Sequence, residues 1–188
     1  ELSARPGQAD DWAVLAHAIE DEDKLTARSV WLVGRRTGLV AQVLDFGTAG
    51  SPLPPSPAPG QDFSGEIAFY PGDPPLRAVL REGRSTTSPQ NGIPGAGDIA
   101  SGLRGFAEAL ARAPWIERWP LRLAQVRFGL LPGGTGPAIL GIGDGSGALP
   151  LLGEARLRAL VAVAAGRPVD LFGLYDGHAV TPLALVAE

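Results

Sequence analysis

Short apolar runs separated by turn residues constrain the fold of this 188-residue chain more than any other feature. Twenty-six Gly and eighteen Pro punctuate those runs. Residues 29–33 and 39–44 are strand-like, and Gly34-Arg35-Arg36-Thr37-Gly38 between them supplies a turn, which predicts a β-hairpin. Residues 63–70 and 76–81 flank Pro71-Gly72-Asp73-Pro74-Pro75 and predict a second hairpin with a proline-fixed corner. Residues 121–131, 138–142 and 148–152 read as a meander with Gly-rich turns. The pair 169–175 and 178–186 encloses Asp176-Gly177, a dipeptide suited to a type I′ turn, and places His178 across the hairpin from Tyr175.

Helical periodicity is found in three places. Asp10-Asp11 precede Trp12, Leu15, Ala16 and Ile19 at helical spacing, and the acidic run Glu20-Asp21-Glu22-Asp23 would repel a helix C-terminus, so a helix is expected over 10–19. Asp98 caps a second, with Ile99, Leu103, Phe106 and Leu110 in one stripe and Pro114 as its end; Gly102 and Gly105 weaken it. A third runs over 154–165, with Leu157, Leu160, Val161 and Ala164 inward and Gly166 then Pro168 as stops. Strands in adjacent pairs with few intervening helices favour an antiparallel α+β fold: hairpins and a meander packed with about three helices. The expected organisation is an N-terminal helix and acidic segment over 1–27 and a single α+β domain over 28–188. Within that domain, residues 51–60, with five Pro in ten, form a stiff connector, and 83–97 a mobile loop. Trp31, Phe69, Phe106, Trp115, Leu160 and Phe172 are the expected interior.

Composition limits the chemistry. Cys is absent, which removes disulfides, thiolate metal sites and cysteine nucleophiles, and only two His are present. The formal net charge is −4, so no global basic field draws in nucleic acid or an anionic membrane. Residues 1–24 hold seven acids against Arg5 and Lys24, whereas residues 77–127 hold eight Arg and four acids. No run approaches a membrane span. The opening Glu1-Leu2-Ser3-Ala4-Arg5 lacks a Met and an apolar signal core and reads as a cut inside a longer chain.

The glycine run 141–147 lacks the helix that a dinucleotide fingerprint must open into, and Gly133-Gly134-Thr135-Gly136 lacks the Lys of a phosphate loop; both are expected to be turns. His17 and His178 have no nucleophile elbow to serve, and the spacing of Asp144, Asp170 and Asp176 suggests no metal site. Paired-carboxylate chemistry has no positive sign, so no catalytic or metal-ligating residue is expected. The strongest feature is aromatic and cationic together. Pro114-Trp115-Ile116-Glu117-Arg118-Trp119-Pro120 places two Trp four apart near Arg112, Arg118 and Arg122. Such a surface suits base stacking and phosphate contact, but two Trp anchoring a core corner is the favoured reading. With the turn tip Arg35-Arg36, the candidate binding surface is Arg35, Arg36, Arg112, Arg118, Trp119 and Arg122. The connector's Pro-x-x-Pro spacings add a docking possibility, with a linker as the default.

Several segments together resemble the C-terminal region of bacterial SWIM zinc-finger family proteins. They are residues 30–38 leading to Val43-Leu44-Asp45-Phe46, residues 69–78, residues 114–120, and residues 166–173 followed by Tyr175-Asp176-Gly177. The Cys and His ligands of such a finger are not in this chain, so the resemblance implies that zinc binds only in a module upstream. It implies a cytoplasmic protein and carries over no catalytic residue. The expected function is non-catalytic docking, to a protein partner or to the chain's own zinc-finger module. The alternative is an accessory nucleic-acid-binding domain that uses the Arg-rich residues 77–127.

Overall fold

The structure is a computed structural model that describes residues 6–22, 24–48, 50–87, 92–132 and 139–186. The chain divides into two compact units, Glu1–Pro89 and Gln90–Glu188, and each is described by itself. The α+β expectation is corrected: the described elements are ten strands in two five-stranded sheets, with two helices.

The first unit is a closed barrel in the order β1-β2-β3-β5-β4, built from β1 (Gln8–Glu22), β2 (Leu25–Gly34), β3 (Val40–Thr48), β4 (Gln61–Phe69) and β5 (Arg77–Thr87). Neighbours are antiparallel except β3 and β5, which run parallel over Gln42↔Arg77 and Val43↔Ala78, a Greek-key closure. The helix expected over 10–19 is therefore a strand. Trp12 and Val14 point into the barrel core with Val30, Leu32, Ala41, Val43, Phe63, Ile67 and Ala78. Ala13 and Leu15, on the opposite face of β1, are buried too. Burial on both faces erases the alternation that marks a half-buried strand, and what remains imitates a helical stripe.

Strand β1 pairs with β4 only as far as Ala13↔Asp62, and β3 leaves β5 after Val43. Beyond those points β1, β2 and β3 continue together, from His17↔Val30↔Val43 to Glu22↔Leu25↔Thr48, as a three-stranded tongue. The proline-rich segment 51–60 is more than a connector, because it is strapped to the inner face of this tongue. His17 Nε2 meets the Pro57 carbonyl at 2.8 Å, and Arg28 Nη2 donates to the Pro54 carbonyl at 2.5 Å. The Gly60 amide donates to the Val14 carbonyl at 3.0 Å, and Pro57 is buried.

The second unit is an antiparallel sheet in the order β10-β9-β6-β7-β8. Its strands are β6 (Trp119–Leu131), β7 (Ile139–Gly143), β8 (Ala148–Pro150), β9 (Val169–Tyr175) and β10 (Val180–Val186). Helices α1 (Ile99–Arg112) and α2 (Glu154–Ala164) complete it. Ile99, Leu121, Leu123, Ile142, Leu157 and Leu171 are at its core. Of the six residues expected inside, Trp31 and Phe172 are buried, while Phe69, Phe106 and Leu160 are half-buried. Trp115 is 78% exposed, which overturns its placement in the core. Residues 83–87, expected in a mobile loop, belong to β5; residues 88–91 of that loop and the turn 133–136 lie outside the described residues. No described helix is long and apolar enough to cross a membrane.

Candidate binding surface

The six candidate residues do not form one described site. Arg35 and Arg36 belong to the first unit, and Arg112, Arg118, Trp119 and Arg122 to the second. Arg35 is part of the barrel's construction. Its Nε and Nη2 donate to the two oxygens of buried Asp62 at 2.7 and 2.9 Å, and that hydrogen bond raises the guanidinium pKa above its ordinary value. Arg36 is exposed, and its Nη2 donates to the Ala9 carbonyl at 2.7 Å. The hairpin tip carrying both is pinned by Asp10, which accepts from the Arg36 and Thr37 amides and from the Thr37 hydroxyl. Burial works to raise the Asp10 pKa, but these bonds outweigh it and hold the carboxyl below its usual range.

In the second unit, Arg122 braces the segment before α1. Its Nη1 donates to the Pro94 carbonyl at 3.1 Å, and burial lowers its pKa. Trp119 is half-buried against the core on β6, opposite Tyr175. Arg112, in the last turn of α1, and Arg118 are exposed. Trp115 lies between them in the turn that joins α1 to β6. The core expectation for this ring comes from reading the two Trp as joint anchors of the helix-to-strand corner, and its exposure corrects that reading. Ala113 is buried and Trp119 is packed against the core, whereas Trp115 in the turn between them is exposed. The Arg-rich stretch as a whole is divided, with Arg77, Arg81 and Arg84 on β5 of the barrel.

The acids with candidate chemistry hold backbone. Asp144, on the glycine-rich turn, accepts from the Ile99 amide at 2.6 Å and from Ser146 N, Ser146 Oγ and Gly147 N. Ser146 Oγ accepts from the Ala100 amide, and Asp98 accepts from the Ser101 amide. The N-terminus of α1 is thus filled by the chain's own oxygens, and residues 141–147 work as a cap rather than a cradle for phosphate. Asp170 accepts from the Ile93 and Gln125 amides. Asp176 accepts from the His178 and Ala179 amides inside the hairpin turn, so His178 is in the turn and Val180, not His178, faces Tyr175. Among the described residues no group of three or more His, Asp or Glu is placed to hold a metal ion.

A groove of about 860 Å³ crosses β1, β4 and β5, with Asp11, Glu66, Arg81 and Glu82 around Val79 and Leu80. Arg81 is 3.7 Å from Glu66, and the Ser64 hydroxyl donates to Asp11 at 2.5 Å. An apolar groove of about 550 Å³ lies between Leu140 and the Leu157, Val161 face of α2. No protein-family model, curated protein or solved structure matches this chain.

Proposed function

We propose that this chain is a non-catalytic protein-docking domain, the C-terminal part of a cytoplasmic SWIM zinc-finger family protein. Its partner is another protein or the zinc-finger module of its own polypeptide. The observation that carries the reading is the 78% exposure of Trp115 on a proline-bounded turn with Arg112 and Arg118 to either side. Trp and Arg are the residues most enriched at the energetic centres of protein interfaces, because each buries a large rigid surface and can still hydrogen-bond at its edge. The exposed side of α1 leads up to that turn as Arg104, Glu108 and Arg112, with Glu117 and Arg118 beyond the ring. Alternating signs suit a protein surface with its own alternating charges.

A second reading, nucleic-acid binding, is favoured by the same ring, since an exposed indole is free to stack on a base. The charge weighs against it. The second unit has eight basic and eight acidic residues, so it offers phosphates little net attraction.

The test is a photo-crosslinking amino acid at position 115 of the full-length polypeptide in its native host. Crosslinks to the zinc-finger module, or to one protein in stoichiometric yield, are expected. Nuclease-sensitive crosslinked species would establish the second reading instead. Crosslinking no greater than from the equally exposed Leu130 position would remove Trp115 as a contact.

A further inference from the structure

We propose that the inner face of the β1–β2–β3 tongue is a binding site for extended proline-rich segments, filled in cis by the chain's own strap and in trans by a proline-rich segment of a partner protein. The site lies in the first unit and is independent of the Trp115 turn.

The ligand class follows from how the strap is held. His17, Ile19, Arg28 and Asp45 share the inner face, as the registers Ile19↔Arg28 and Arg28↔Asp45 require. His17 and Arg28 are therefore diagonal neighbours on adjacent strands, with about 7–8 Å between them. Each holds one strap carbonyl. His17 Nε2 meets that of Pro57 at 2.8 Å, so this nitrogen carries the proton, and Arg28 Nη2 donates to that of Pro54 at 2.5 Å. Pro54 and Pro57 are three residues apart, one turn of a polyproline helix, in which such carbonyls repeat along one edge about 9 Å apart. A diagonal pair of donors on a sheet matches that repeat. An α-helix would keep its carbonyls for its own amides, and a β-strand would aim carbonyls three residues apart to opposite sides.

The face is built to receive such a segment. Asp45 holds Arg28 in place, accepting from its Nε and Nη2 at 3.0 and 2.6 Å. Pro57 is buried, and Gly47 leaves the room that Leu53 takes, since a Cβ there would be 3.0 Å from Leu53 Cδ2. The strap is nevertheless an imperfect occupant. The Ser56 hydroxyl oxygen is buried with no hydrogen-bond partner among the described residues, a desolvation cost that Ala at that place would not carry. Ile19, on the same face, is 59% exposed, so the strap leaves part of the face uncovered. A partner segment with the same Pro-x-x-Pro spacing and an apolar residue at the Ser56 place fits better than the strap does.

The experiment uses the 188-residue chain and a fluorescein-labelled peptide with the sequence of residues 51–60. The tethered strap competes at an effective concentration on the order of 1 mM, so it is first loosened by Pro54→Gly with Pro57→Gly. Fluorescence anisotropy is expected to show the loosened variant binding the peptide at least about tenfold tighter than the unaltered chain does. A peptide with Ala at the Ser56 place should bind the variant tighter still, and one with Ala for all five prolines should not bind. Added to the loosened variant, His17→Phe and Arg28→Leu should each weaken binding at least about tenfold, as loss of an interface anchor does. Circular dichroism melting identifies variants that fail to fold, and Pro57→Gly alone is the milder loosening used in that case. Equal affinity for the loosened and unaltered chains, no binding to a folded loosened variant, equal binding of the proline-free peptide, or binding that survives both His17→Phe and Arg28→Leu would overturn the proposal. Trp115→Ser should not change this binding, so failure here and failure at Trp115 are read separately.

Discussion

At the scale of single residues, the polar side chains of this protein are mostly occupied with backbone. Asp144 joins a glycine-rich turn to the first amides of α1, and Asp98 and Asp176 each close a turn of their own. Burial pushes the Asp144 pKa up, but its bonds to Ile99, Ser146 and Gly147 prevail and hold it below 3.8. Asp98 is lowered chiefly by its bond to Ser101, and Asp176 by the Ala179 and His178 amides. A carboxyl with a depressed folded pKa binds its proton more weakly folded than unfolded. Its stabilisation is therefore complete above the ordinary value of 3.8 and is lost as pH falls from there through the folded value. Urea midpoints measured between neutral pH and the acid limit should fall in that lower window. Asp144→Ala should cost about 1 kcal/mol at neutral pH, as loss of a helix cap does, and should make the acid decline shallower. An unchanged acid decline would show that Asp144 does not contribute to it. The Asp98 cap was legible in the sequence, because an acid directly before an apolar helical stripe announces it. Asp144 was not, since its partner is 45 residues away in the chain.

At the scale of elements, hairpins were readable and the first strand was not. Gly-rich and Pro-rich turns between β-branched runs pair neighbours in sequence, and β2 with β3, β4 with β5 and β9 with β10 are such neighbours. Strand β1 pairs with β4, about fifty residues on, and that closure encloses Trp12 and Val14 in the barrel core. The closure depends on Gly65, at an irregularity where β4 and β5 shift register. A Cβ there would sit 2.5 Å from the Glu82 carbonyl oxygen and 2.7 Å from the Gly83 Cα, backbone atoms that cannot swing aside. Gly65→Ala should destabilise the chain by about 1–3 kcal/mol in urea unfolding, the cost of overpacking. Gly105→Ala makes the opposite test. A Cβ at this α1 position meets nothing within 4 Å, so the substitution should stabilise by about 0.5–1 kcal/mol through helix propensity. The same sign for both would refute the close-approach argument. The strap is the other element that sequence described only in part. Five prolines ruled out regular structure, but the use of the Pro54 and Pro57 carbonyls by Arg28 and His17 depends on strands that proline content does not reveal.

At the scale of the whole molecule, charge sets what the chain can attract. The first unit carries twelve acidic and eight basic residues, and the second carries eight of each. Several of the Arg that make residues 77–127 look basic are engaged: Arg81 near Glu66, Arg122 on Pro94, and Arg127 Nη1 on the Gly166 carbonyl. Labelled single- or double-stranded DNA should therefore bind no tighter than about 10⁻⁴ M at physiological salt, the weak end of non-specific association. Micromolar affinity that is lost on Trp115→Ala, with a steep salt slope, would replace docking with nucleic-acid binding. What the sequence determined by itself is local: the hairpin turns, the Asp98 cap of α1, the stops of α1 and α2, the absence of thiol chemistry and the acidic balance. Each of these depends on residues close in the chain or on a simple count. Tertiary structure decided what depends on distant partners. It made residues 8–22 a barrel strand, divided the arginines between two units, turned the glycine run into a helix cap and left Trp115 facing solvent. Periodicity reports which side of an element is apolar, but burial of both sides, or of neither, depends on the partner that long-range closure brings.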